Sequence, residues 1–407
     1  MRQLSKPIHI LVHDFSGHPF QVQLSRHLAS RGYLVTHLHC TDIVGAKGSI
    51  EKMIGDPVNF FVDSISIGRN INRYNFLKRL LDERKYGKVL SSRVRQLNPD
   101  VVISANTPLD AQVQLFNTCR SMGVRFIFWL QDVLGIASKS VLSKKLGLLG
   151  SIIGDYYIRT EKSLLKNSDH IVPISEDFKF LLFKWGVETK NISVINNWAP
   201  LEEMPQFPVE NDWRVTQGLE PIDRVAIYSG ALGLKHNPQL LWDLAKDFEK
   251  KGPNFKLIVI SEGYGANWLK KKLHNENLPN LKLLPFQPFE LLPKVLASAN
   301  VLLAILEPEA GEFCVPSKVL SYMCVGRPIA LAAARSNLAS KLVSNNICGM
   351  VSEPSNSSEL CENVSSILAR EDLVKSMGVN SRLYAEENFD IVKIADKFET
   401  IIQEVTK

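Results

Sequence analysis

Apolar residues recur along the chain in two alternating patterns. Residues 8–15 (IHILVHDF) form a continuous apolar run, which is typical of a strand buried on both faces of a parallel sheet. A turn follows, and Pro19 stands where a helix begins, with apolar residues at helical spacing through residues 20–28. The next apolar run is at residues 33–39. This strand–helix–strand unit predicts a parallel sheet with right-handed crossovers.

The alternation continues as two series of strand patterns separated by helical patterns. The first series comprises residues 101–105, 125–130, 170–175 and 192–197. The second comprises residues 224–230, 255–261, 281–286, 300–306 and 328–333. Between them, residues 199–221 are rich in proline and acidic side chains, which indicates a domain boundary. We therefore predict an N-terminal domain at residues 1–205, a second domain at 206–388 and an amphipathic helix within 389–407 that packs back on the first domain.

The composition narrows the class of protein. The 407 residues, 45% of them hydrophobic, suffice for two cores. No apolar run reaches the roughly 18 residues that a membrane-spanning helix requires, and the N-terminus fits a first strand better than a signal peptide. The six cysteines are scattered singly, without paired metal-ligand spacing. We therefore expect reduced thiols, a cytoplasmic protein and no metal site.

The net charge of +6 is unevenly distributed. Residues 69–95 carry nine lysine and arginine side chains against Asp82 and Glu83, and residues 133–166 combine leucine and isoleucine with lysine. Such segments suit an anionic membrane surface, which would hold the protein on the inner face of the cytoplasmic membrane. A solvated helix face explains the first segment equally well, and a buried helical hairpin between the domains explains the second. Nucleic acid is the least favoured partner, because interleaved aromatic residues and recognition motifs are missing.

Glycine-rich loops follow two strands of the second series. SGALGLKH (residues 229–236) holds two glycines that would let the backbone approach a phosphate, and its Lys235 adds a cation. SEGYG (residues 261–265) again opens a helix, and its Glu262 could contact a nucleotide hydroxyl or favour the helix N-terminus. A simple glycine-rich turn is the alternative for the first loop.

A third helix of this half opens at PSK (residues 316–318). Lys318 lies in its first turn, where a cation opposes the helix dipole and a bound anion would offset the unfavourable placement. Glu309 and Glu312 precede it in the same loop. An acidic loop beside an anion-binding helix start suits a ligand with both hydroxyls and phosphates, which describes a nucleotide sugar.

Taken together, these motifs resemble the retaining glycosyltransferases of family 4, which have the GT-B fold. HIVPISEDFKFLLFKWGVETKNISVINNWA (residues 170–199) resembles the closing segment of that family's first domain, and SGALGLKH resembles its donor loop. PSKVLSYMCVGRPIA (residues 316–330) and LQDVLG (residues 130–135) are similar to a branch that includes bacterial enzymes of O-antigen, colanic acid and exopolysaccharide assembly. The resemblance implies an α/β protein of two Rossmann-like, doubly wound parallel-sheet domains that face each other across a cleft.

The resemblance also implies a reaction, the transfer of a sugar from a UDP- or GDP-sugar to a polyprenyl-diphosphate-linked saccharide with retention of configuration. No metal is implied, and the sequence has no DxD-type motif. Lys235 and Lys318 would stabilise the leaving diphosphate, and Glu309 and Glu312 would lie near the transferred sugar. The donor-binding set would comprise Gly17, His18, Ser229, Gly230, Gly233, Glu262, Gly263, Pro316, Ser317 and Ser321.

Polar residues also follow the strand patterns of the first half. Asp132 is the candidate for receiving the acceptor proton, because it follows a predicted strand and would face the cleft. A helix cap or turn residue is the alternative for Asp132. His13, Asp14 and His18 cluster after the first strand and suggest a cleft, although a histidine in such a turn is usually structural.

Four positions depart from the family pattern, and the first is Phe313, which stands where the family's first glutamate is expected. Ser321 stands where the family's second glutamate holds the ribose, Ala231 where an arginine is typical, and Gln131 where a histidine is often found at the sugar. These departures leave two alternatives open. One is a sugar-nucleotide epimerase of the same fold, and the other is a non-catalytic protein that binds a nucleotide or a carbohydrate.

Overall fold

The computed structural model describes residues 6–43, 50–71, 76–233, 236–306 and 316–407. Contacts between Cα atoms divide the chain into two units, Met1–Asn197 with Ile391–Lys407, and Trp198–Asp390. Each unit holds one parallel sheet with helices, which confirms the α/β class that the alternating patterns predict. The predicted domain limits and the cleft between the domains stay predictions. None of the helices within the described ranges is long and apolar enough to cross a membrane.

The first unit is built on a six-stranded sheet in the order β3-β2-β1-β4-β5-β6, with every strand pair parallel. Its elements are β1 (His9–Asp14), α1 (Pro19–Ser30), β2 (Leu34–Cys40), β3 (Phe60–Ile65), α2 (Phe76–Leu97), β4 (Val101–Ala105), α3 (Leu109–Met122), β5 (Arg125–Leu130), α4 (Leu134–Asn167), β6 (His170–Pro173) and α5 (Asp177–Lys184). The strand order reverses between β1 and β4. In open α/β sheets, ligands bind beyond the carboxyl ends of the strands at this reversal.

The second unit repeats this plan with the strand order β12-β11-β10-β7-β8-β9, again parallel throughout. Its elements are α6 (Asp212–Thr216), β7 (Arg224–Ser229), α7 (Pro238–Lys251), β8 (Phe255–Ile260), α8 (Tyr264–Asn275), β9 (Leu281–Leu284), α9 (Leu292–Ala297), β10 (Val301–Ile305), α10 (Ser317–Cys324), β11 (Ile329–Ala332), α11 (Leu338–Asn345), β12 (Gly349–Ser352), α12 (Ser357–Leu368) and α13 (Glu371–Asn388). Here the order reverses between β7 and β10.

The central strands of both sheets are buried. Every residue of β1 and of β10 is inaccessible to solvent or nearly so, because helices cover both faces of a parallel sheet. In the second unit, Trp242 and Phe248 of α7 pack into the same core as the strands. Removing these large apolar surfaces from water provides the main free energy that holds each unit together.

The last helix, α14 (Ile391–Thr406), belongs to the first unit. The ring of Phe398 packs edge-on against Trp129, with 4.9 Å between the ring centroids. Arg31 donates to the carboxylate of Glu399 over 2.6 Å. The apolar stripe of this helix is buried at Ile391, Ile394, Ala395, Phe398, Ile401 and Ile402, which confirms the predicted amphipathic helix.

Three short segments differ from the sequence-based prediction. The prediction of a strand at residues 192–197 is wrong. In this range only Ile192 pairs as in a sheet, through an isolated parallel bridge to Ile171. The sequence patterns miss β3, where Asp63 and Ser64 interrupt the apolar run. They also miss β12, which has only four residues. β3 and β12 are edge strands of their sheets, where partial exposure removes the continuous apolar signal.

A buried carboxyl group caps the N-terminus of α4. The side chain of Glu161 is fully buried and accepts hydrogen bonds from the backbone N–H groups of Leu134 (2.9 Å) and Gly135 (2.8 Å). Burial raises the pKa of this carboxyl group to about 8, although the two N–H donors favour its ionised form. Glu161 therefore satisfies two donors at the start of the helix that would otherwise be unpaired.

We expect Glu161→Ala to lower the free energy of unfolding by about 2–4 kcal/mol, because both N–H groups lose their acceptor in a buried place. Urea denaturation near neutral pH measures the loss. Ser163→Ala, at an exposed position of the same helix, should change the free energy of unfolding by less than about 0.5 kcal/mol. Equal stability of the two variants would contradict the capping role of Glu161.

The pH dependence of stability tests the same carboxyl group independently. Because its pKa is about 8 in the folded chain and that of an ordinary glutamate in the unfolded chain, folding takes up a proton between these values. The stability of the wild type should therefore fall relative to that of Glu161→Gln as the pH rises through this window. A difference that does not change with pH would show that Glu161 is ionised in the folded protein.

Candidate active site

The end of β7 and the start of α10 lie against each other in the second unit. The backbone N–H of Gly230, directly after β7, donates to the carbonyl oxygen of Ile260 over 3.0 Å. The buried hydroxyl of Tyr322 lies 3.1 Å from the carbonyl oxygen of Leu303 and accepts the N–H of Ser229 over 3.3 Å. Tyr322 therefore fixes α10 to two neighbouring strands, at the end of β7 and in the middle of β10.

Lys318, in the first turn of α10, is aimed at the end of β7. Its ammonium group donates to the hydroxyl oxygen of Tyr228 over 2.6 Å and lies 4.0 Å from the centroid of that ring. A Cβ atom on Gly230 would lie only 3.1 Å from the Lys318 Nζ atom. Gly230 also has a φ of 135°, a conformation that L side chains rarely adopt. The backbone conformation at position 230 therefore favours glycine, and a larger side chain there would also displace the end of Lys318.

The ammonium group of Lys318 is desolvated, although the residue as a whole is only partly buried. Burial lowers its pKa to about 7. No carboxylate of the described chain lies within ion-pair distance of it, and no side chain in these ranges caps the N-terminus of α10 at Pro316. A cation held at the positive end of a helix dipole is unfavourable by itself and favours a bound anion.

The loops after β7 and β8 hold each other through their backbones. The N–H of Leu232 donates to the carbonyl oxygen of Glu262 over 3.3 Å, and the N–H of Gly265 donates back to the carbonyl oxygen of Leu232 over 2.9 Å. Gly263 between them has a φ of 103°, so the turn requires a glycine. The side chain of Glu262 points into solvent, where a ligand hydroxyl could reach it.

The structure places nine of the predicted residues at the carboxyl end of the second sheet. They are Ser229, Gly230, Gly233, Glu262, Gly263, Pro316, Ser317, Lys318 and Ser321. Lys318 fills the space beside Gly230 that a side chain would enter, whereas Ser321 lies one turn further along α10. Lys235, Glu309 and Glu312 lie outside the described residues. The sequence analysis misses Tyr228 and Tyr322. For Tyr228 a signal exists, because a tyrosine in an otherwise aliphatic buried strand has a hydroxyl that needs a partner.

In the first unit, Asp14 organises the turn after β1. Its buried carboxylate accepts the N–H of Ser16 (3.0 Å) and the N–H of His18, and lies 3.1 Å from the His18 Nδ1 atom. Burial alone would raise the pKa of Asp14, but the charge and the hydrogen bonds of His18 outweigh it and hold the pKa well below its usual range. Gly17 completes the turn with a φ of 75°.

The same turn lies beside the loop after β4. The Nδ2 atom of Asn106 is 3.4 Å from the Nδ1 atom of His18, so Gly17 and His18 are placed at the reversal point of the first sheet. His13 is different. Its buried ring contacts the hydroxyls of Tyr86 (2.9 Å) and Ser104 (3.1 Å), and burial lowers its pKa to about 4. His13 is therefore a neutral core histidine.

Asp132 follows β5 and is exposed, as expected for a residue just beyond the carboxyl end of a strand. The neighbouring Gln131 is buried, and its Oε1 atom accepts from the Nδ2 atom of Asn197 over 2.5 Å. Within the parts of the chain that the structure describes, no group of three or more histidine, cysteine, aspartate or glutamate side chains could hold a metal ion. That Asp132 receives the proton of the acceptor hydroxyl stays a prediction.

Comparison with known proteins gives the family context of this geometry. Residues 20–203 match the family model of Glycosyltransferase Family 4, and residues 209–384 match that of Glycosyl transferases group 1. The chain is 23% identical over 244 residues to the putative colanic acid biosynthesis glycosyl transferase WcaI of Escherichia coli, and 22% identical over 248 residues to the uncharacterized glycosyltransferase MJ1069 of Methanocaldococcus jannaschii. The match to WcaI spans 57% of this chain and 57% of WcaI. The match to MJ1069 spans 60% of this chain and 60% of MJ1069.

Solved structures share the fold along nearly the whole chain. Anabaena Alr3699/HepE in complex with UDP-glucose has a TM-score of 0.70 at 16% identity, and covers 98% of this chain. Sucrose-phosphate synthase from Thermosynechococcus elongatus has a TM-score of 0.76 at 14% identity, also over 98% of this chain. WaaG, a glycosyltransferase involved in lipopolysaccharide biosynthesis, has a TM-score of 0.68 over 97%. The chain therefore consists of a part that matches Glycosyltransferase Family 4 followed by a part that matches Glycosyl transferases group 1, and it has the two-domain GT-B fold of these solved structures.

Proposed function

We propose that this glycosyltransferase moves a sugar, with retention of configuration, from a UDP- or GDP-sugar to a polyprenyl-diphosphate-linked saccharide in cell-surface polysaccharide synthesis. The observation that carries the proposal is the desolvated ammonium group of Lys318, which donates to Tyr228, lies beside Gly230 and has no carboxylate partner in the described chain. This arrangement supports a site for the diphosphate of the donor.

The proposed chemistry places the main catalytic demand on the leaving group. As the bond between sugar carbon C1 and the diphosphate oxygen breaks, the electron pair stays on the nucleoside diphosphate and its negative charge grows. Lys318 and the N-terminal N–H groups of α10 would stabilise that charge without first reorganising, and they act most strongly in a desolvated place. The family resemblance assigns Lys235 to the same charge, and Glu309 and Glu312 to the transferred sugar.

The acceptor hydroxyl must lose a proton while its oxygen forms the new bond to C1. Asp132 is our candidate for receiving this proton, because it is an exposed carboxylate directly after β5. Attack on the face of the sugar that the diphosphate leaves would retain the configuration. No metal takes part in the proposed reaction.

The relatives support the choice of substrates to test first. Solved structures of Alr3699/HepE hold UDP, and UDP-glucose in one case, which favours a UDP-sugar as the donor. WcaI is named for colanic acid biosynthesis and WaaG for lipopolysaccharide biosynthesis, which favours a lipid-linked saccharide acceptor. The inner face of the cytoplasmic membrane is where such an acceptor would meet a cytoplasmic nucleotide sugar.

Lys318→Ala should reduce the rate of sugar transfer by ~10²–10³-fold, because one charged donor to the leaving group is lost. Release of nucleoside diphosphate in the presence of the lipid-linked acceptor measures the rate. Lys341→Ala, at an exposed position of α11, serves as the control and should turn over normally. Wild-type turnover by Lys318→Ala would contradict the assignment.

Thermal unfolding separates this effect from misfolding. Removing a buried cation that has no carboxylate partner in the described chain relieves a desolvation cost, so Lys318→Ala without ligand should be at least as stable as the wild type. Stabilisation by the donor should then be reduced.

An epimerase would instead release an epimerised sugar without any acceptor, and a non-catalytic binder would be stabilised by the donor without releasing nucleoside diphosphate.

The affinity for UDP should depend on pH through Lys318. Its pKa is about 7 in the free protein, and the bound diphosphate favours the charged form, so binding above pH ~7 requires uptake of a proton. UDP affinity should therefore fall, by up to ~10-fold per pH unit, as the pH rises above ~7, where the terminal phosphate is already ionised. Calorimetry in buffers of different ionisation enthalpy measures the proton uptake. Lys318→Met should bind weakly and show no such uptake, and equal uptake by both proteins would contradict the role of Lys318.

Asp132→Asn should lower kcat by ~10²–10⁴-fold while leaving UDP affinity unchanged, because the amide cannot accept the proton. Asp177→Asn, at an exposed carboxylate at the start of α5, is the matched control. A normal kcat for Asp132→Asn would contradict this role and favour the alternative, in which Asp132 is a structural turn residue.

A further inference from the structure

α4 is a helical hairpin whose tip is apolar and exposed. The chain bends at Gly147, where φ is 57° and ψ is −130°. Beyond the bend, Leu148, Leu149 and Ile152 are 86%, 70% and 62% exposed, and Leu146 before it is 49% exposed. Neighbouring large apolar side chains are seldom left in water by a soluble protein unless another surface covers them.

The two arms of the hairpin are fixed to each other by close backbone contact. A Cβ atom on Gly150 would lie 1.9 Å from the carbonyl oxygen of Leu142, and one on Gly154 would lie 2.5 Å from the Cα atom of Lys139. Lys139 also forms an ion pair with Asp155 across the arms, over 2.6 Å. The apolar tip is therefore held out by a packed element, because both glycines permit an approach that any side chain would prevent.

The charge around the tip has one sign. Residues 133–154 contain three lysines and no aspartate or glutamate. Two of them, Lys144 and Lys145, are exposed and immediately precede the bend. Leucine and isoleucine next to exposed lysines match a surface that has an apolar interior and an anionic boundary, which is the chemistry of an anionic phospholipid leaflet.

The apolar stripe continues from the tip to a basic groove. Leu148, Ile152 and Tyr156 follow one another at intervals of four residues on the second arm, so they share one face of the helix. Tyr156 and Tyr157 then line a cavity of about 450 Å³ between α2, α3 and α4.

Three cations line this groove, namely Arg84, Lys85 and Lys88. Among the described residues that line it, Asp110 is the only acidic one, and it is paired with Arg84 over 3.0 Å. Lys85 donates to the carbonyl oxygen of Ile67 over 2.7 Å. The groove thus carries excess positive charge beside an apolar stripe, which suits a lipid phosphate.

We propose that the hairpin surface, defined as Lys144, Lys145, Leu148, Leu149, Ile152 and Tyr156, docks the protein on an anionic phospholipid leaflet. The leucines enter the apolar boundary of the leaflet, the lysines contact its anionic head groups, and the basic groove receives a lipid phosphate. This docking rests on the proposed function in one respect: a lipid-linked acceptor lies in the membrane, so the enzyme must reach the membrane surface to use it. It concerns residues that take no part in the transfer reaction.

Sedimentation of the full chain with vesicles tests the apolar part. The wild type should bind vesicles of phosphatidylcholine with phosphatidylglycerol at least ~10-fold more tightly than vesicles of phosphatidylcholine alone. The double variant Leu148→Ser/Leu149→Ser should lose at least ~10-fold in affinity for the anionic vesicles. The control is Val379→Ser/Leu383→Ser, an exposed apolar pair four residues apart on α13, and it should bind as the wild type does.

The charged part needs its own variants, which also keep the test decisive if the serine variant folds poorly. Lys144→Glu/Lys145→Glu should weaken binding to anionic vesicles by ~30-fold or more and should leave the fold unchanged, because both side chains are exposed. Lys270→Glu/Lys271→Glu, an adjacent exposed lysine pair on α8, makes the same change in net charge and should bind normally.

Three outcomes would overturn the proposal. The wild type could fail to bind anionic vesicles, or both hairpin variants could bind as well as the wild type. Light scattering could also show a wild-type dimer that Leu148→Ser/Leu149→Ser converts to a monomer, in which case a second copy of the chain covers the surface.

Transfer to a lipid-free acceptor saccharide separates docking from catalysis. Both hairpin variants should keep this activity, and Lys318→Ala should lose it while binding vesicles normally. If vesicle binding follows the hairpin residues but no nucleotide sugar is turned over, docking stands and the proposed function fails. If turnover is normal and the hairpin variants still bind vesicles, the proposed function stands and the docking proposal fails.

Discussion

The candidate site depends on an ammonium group that has lost its water without gaining a carboxylate from the described chain. Lys318 begins α10, so it lies at the positive end of the helix dipole, and its neighbours are the hydroxyl of Tyr228 and the backbone at Gly230. Burial of the ammonium group disfavours its charged form and lowers its pKa to about 7. An anion bound there would reverse the balance, since it supplies the missing charge at the place where the helix N–H groups also point.

The rest of the second unit can be understood as the means of holding that group in place. A parallel sheet brings the carboxyl ends of β7, β8 and β10 to one edge, and the buried hydroxyl of Tyr322 ties α10 to two of these strands. The positive φ at position 230 favours glycine, and a side chain there would also displace the end of Lys318. Position, not residue type alone, makes this lysine different from the many exposed ones.

Sequence patterns predict the fold well because burial of parallel strands leaves long apolar runs, such as those of β1 and β10. They fail at β3 and β12, where edge positions admit polar residues, and at residues 192–197, where an apolar run does not join the sheet as a strand. Glycine loops and a lysine in a first helical turn are local signals, so Gly230 and Lys318 could be named in advance. The contact of Lys318 with Tyr228 could not, because it joins positions 90 residues apart. The exposure of the α4 tip was equally hidden, since a buried hairpin and a surface hairpin carry the same apolar pattern.

Three buried ionisable groups show what distinguishes a structural charge from a functional one. Asp14 has two backbone N–H donors and the His18 ring, so its charge is met within its own turn and its pKa falls. Glu161 has two N–H donors but no cation, so burial prevails, its pKa rises to about 8, and the group serves the start of α4 largely in its neutral form. Lys318 has the hydroxyl and the ring face of Tyr228, neither of which neutralises a cation, and the described chain offers it no carboxylate. A group that the fold buries but does not neutralise retains an unmet interaction, and a ligand of opposite charge is what can satisfy it. By this criterion Lys318 is the candidate functional group of the three, and the diphosphate of the proposed sugar-nucleotide donor would supply the anion.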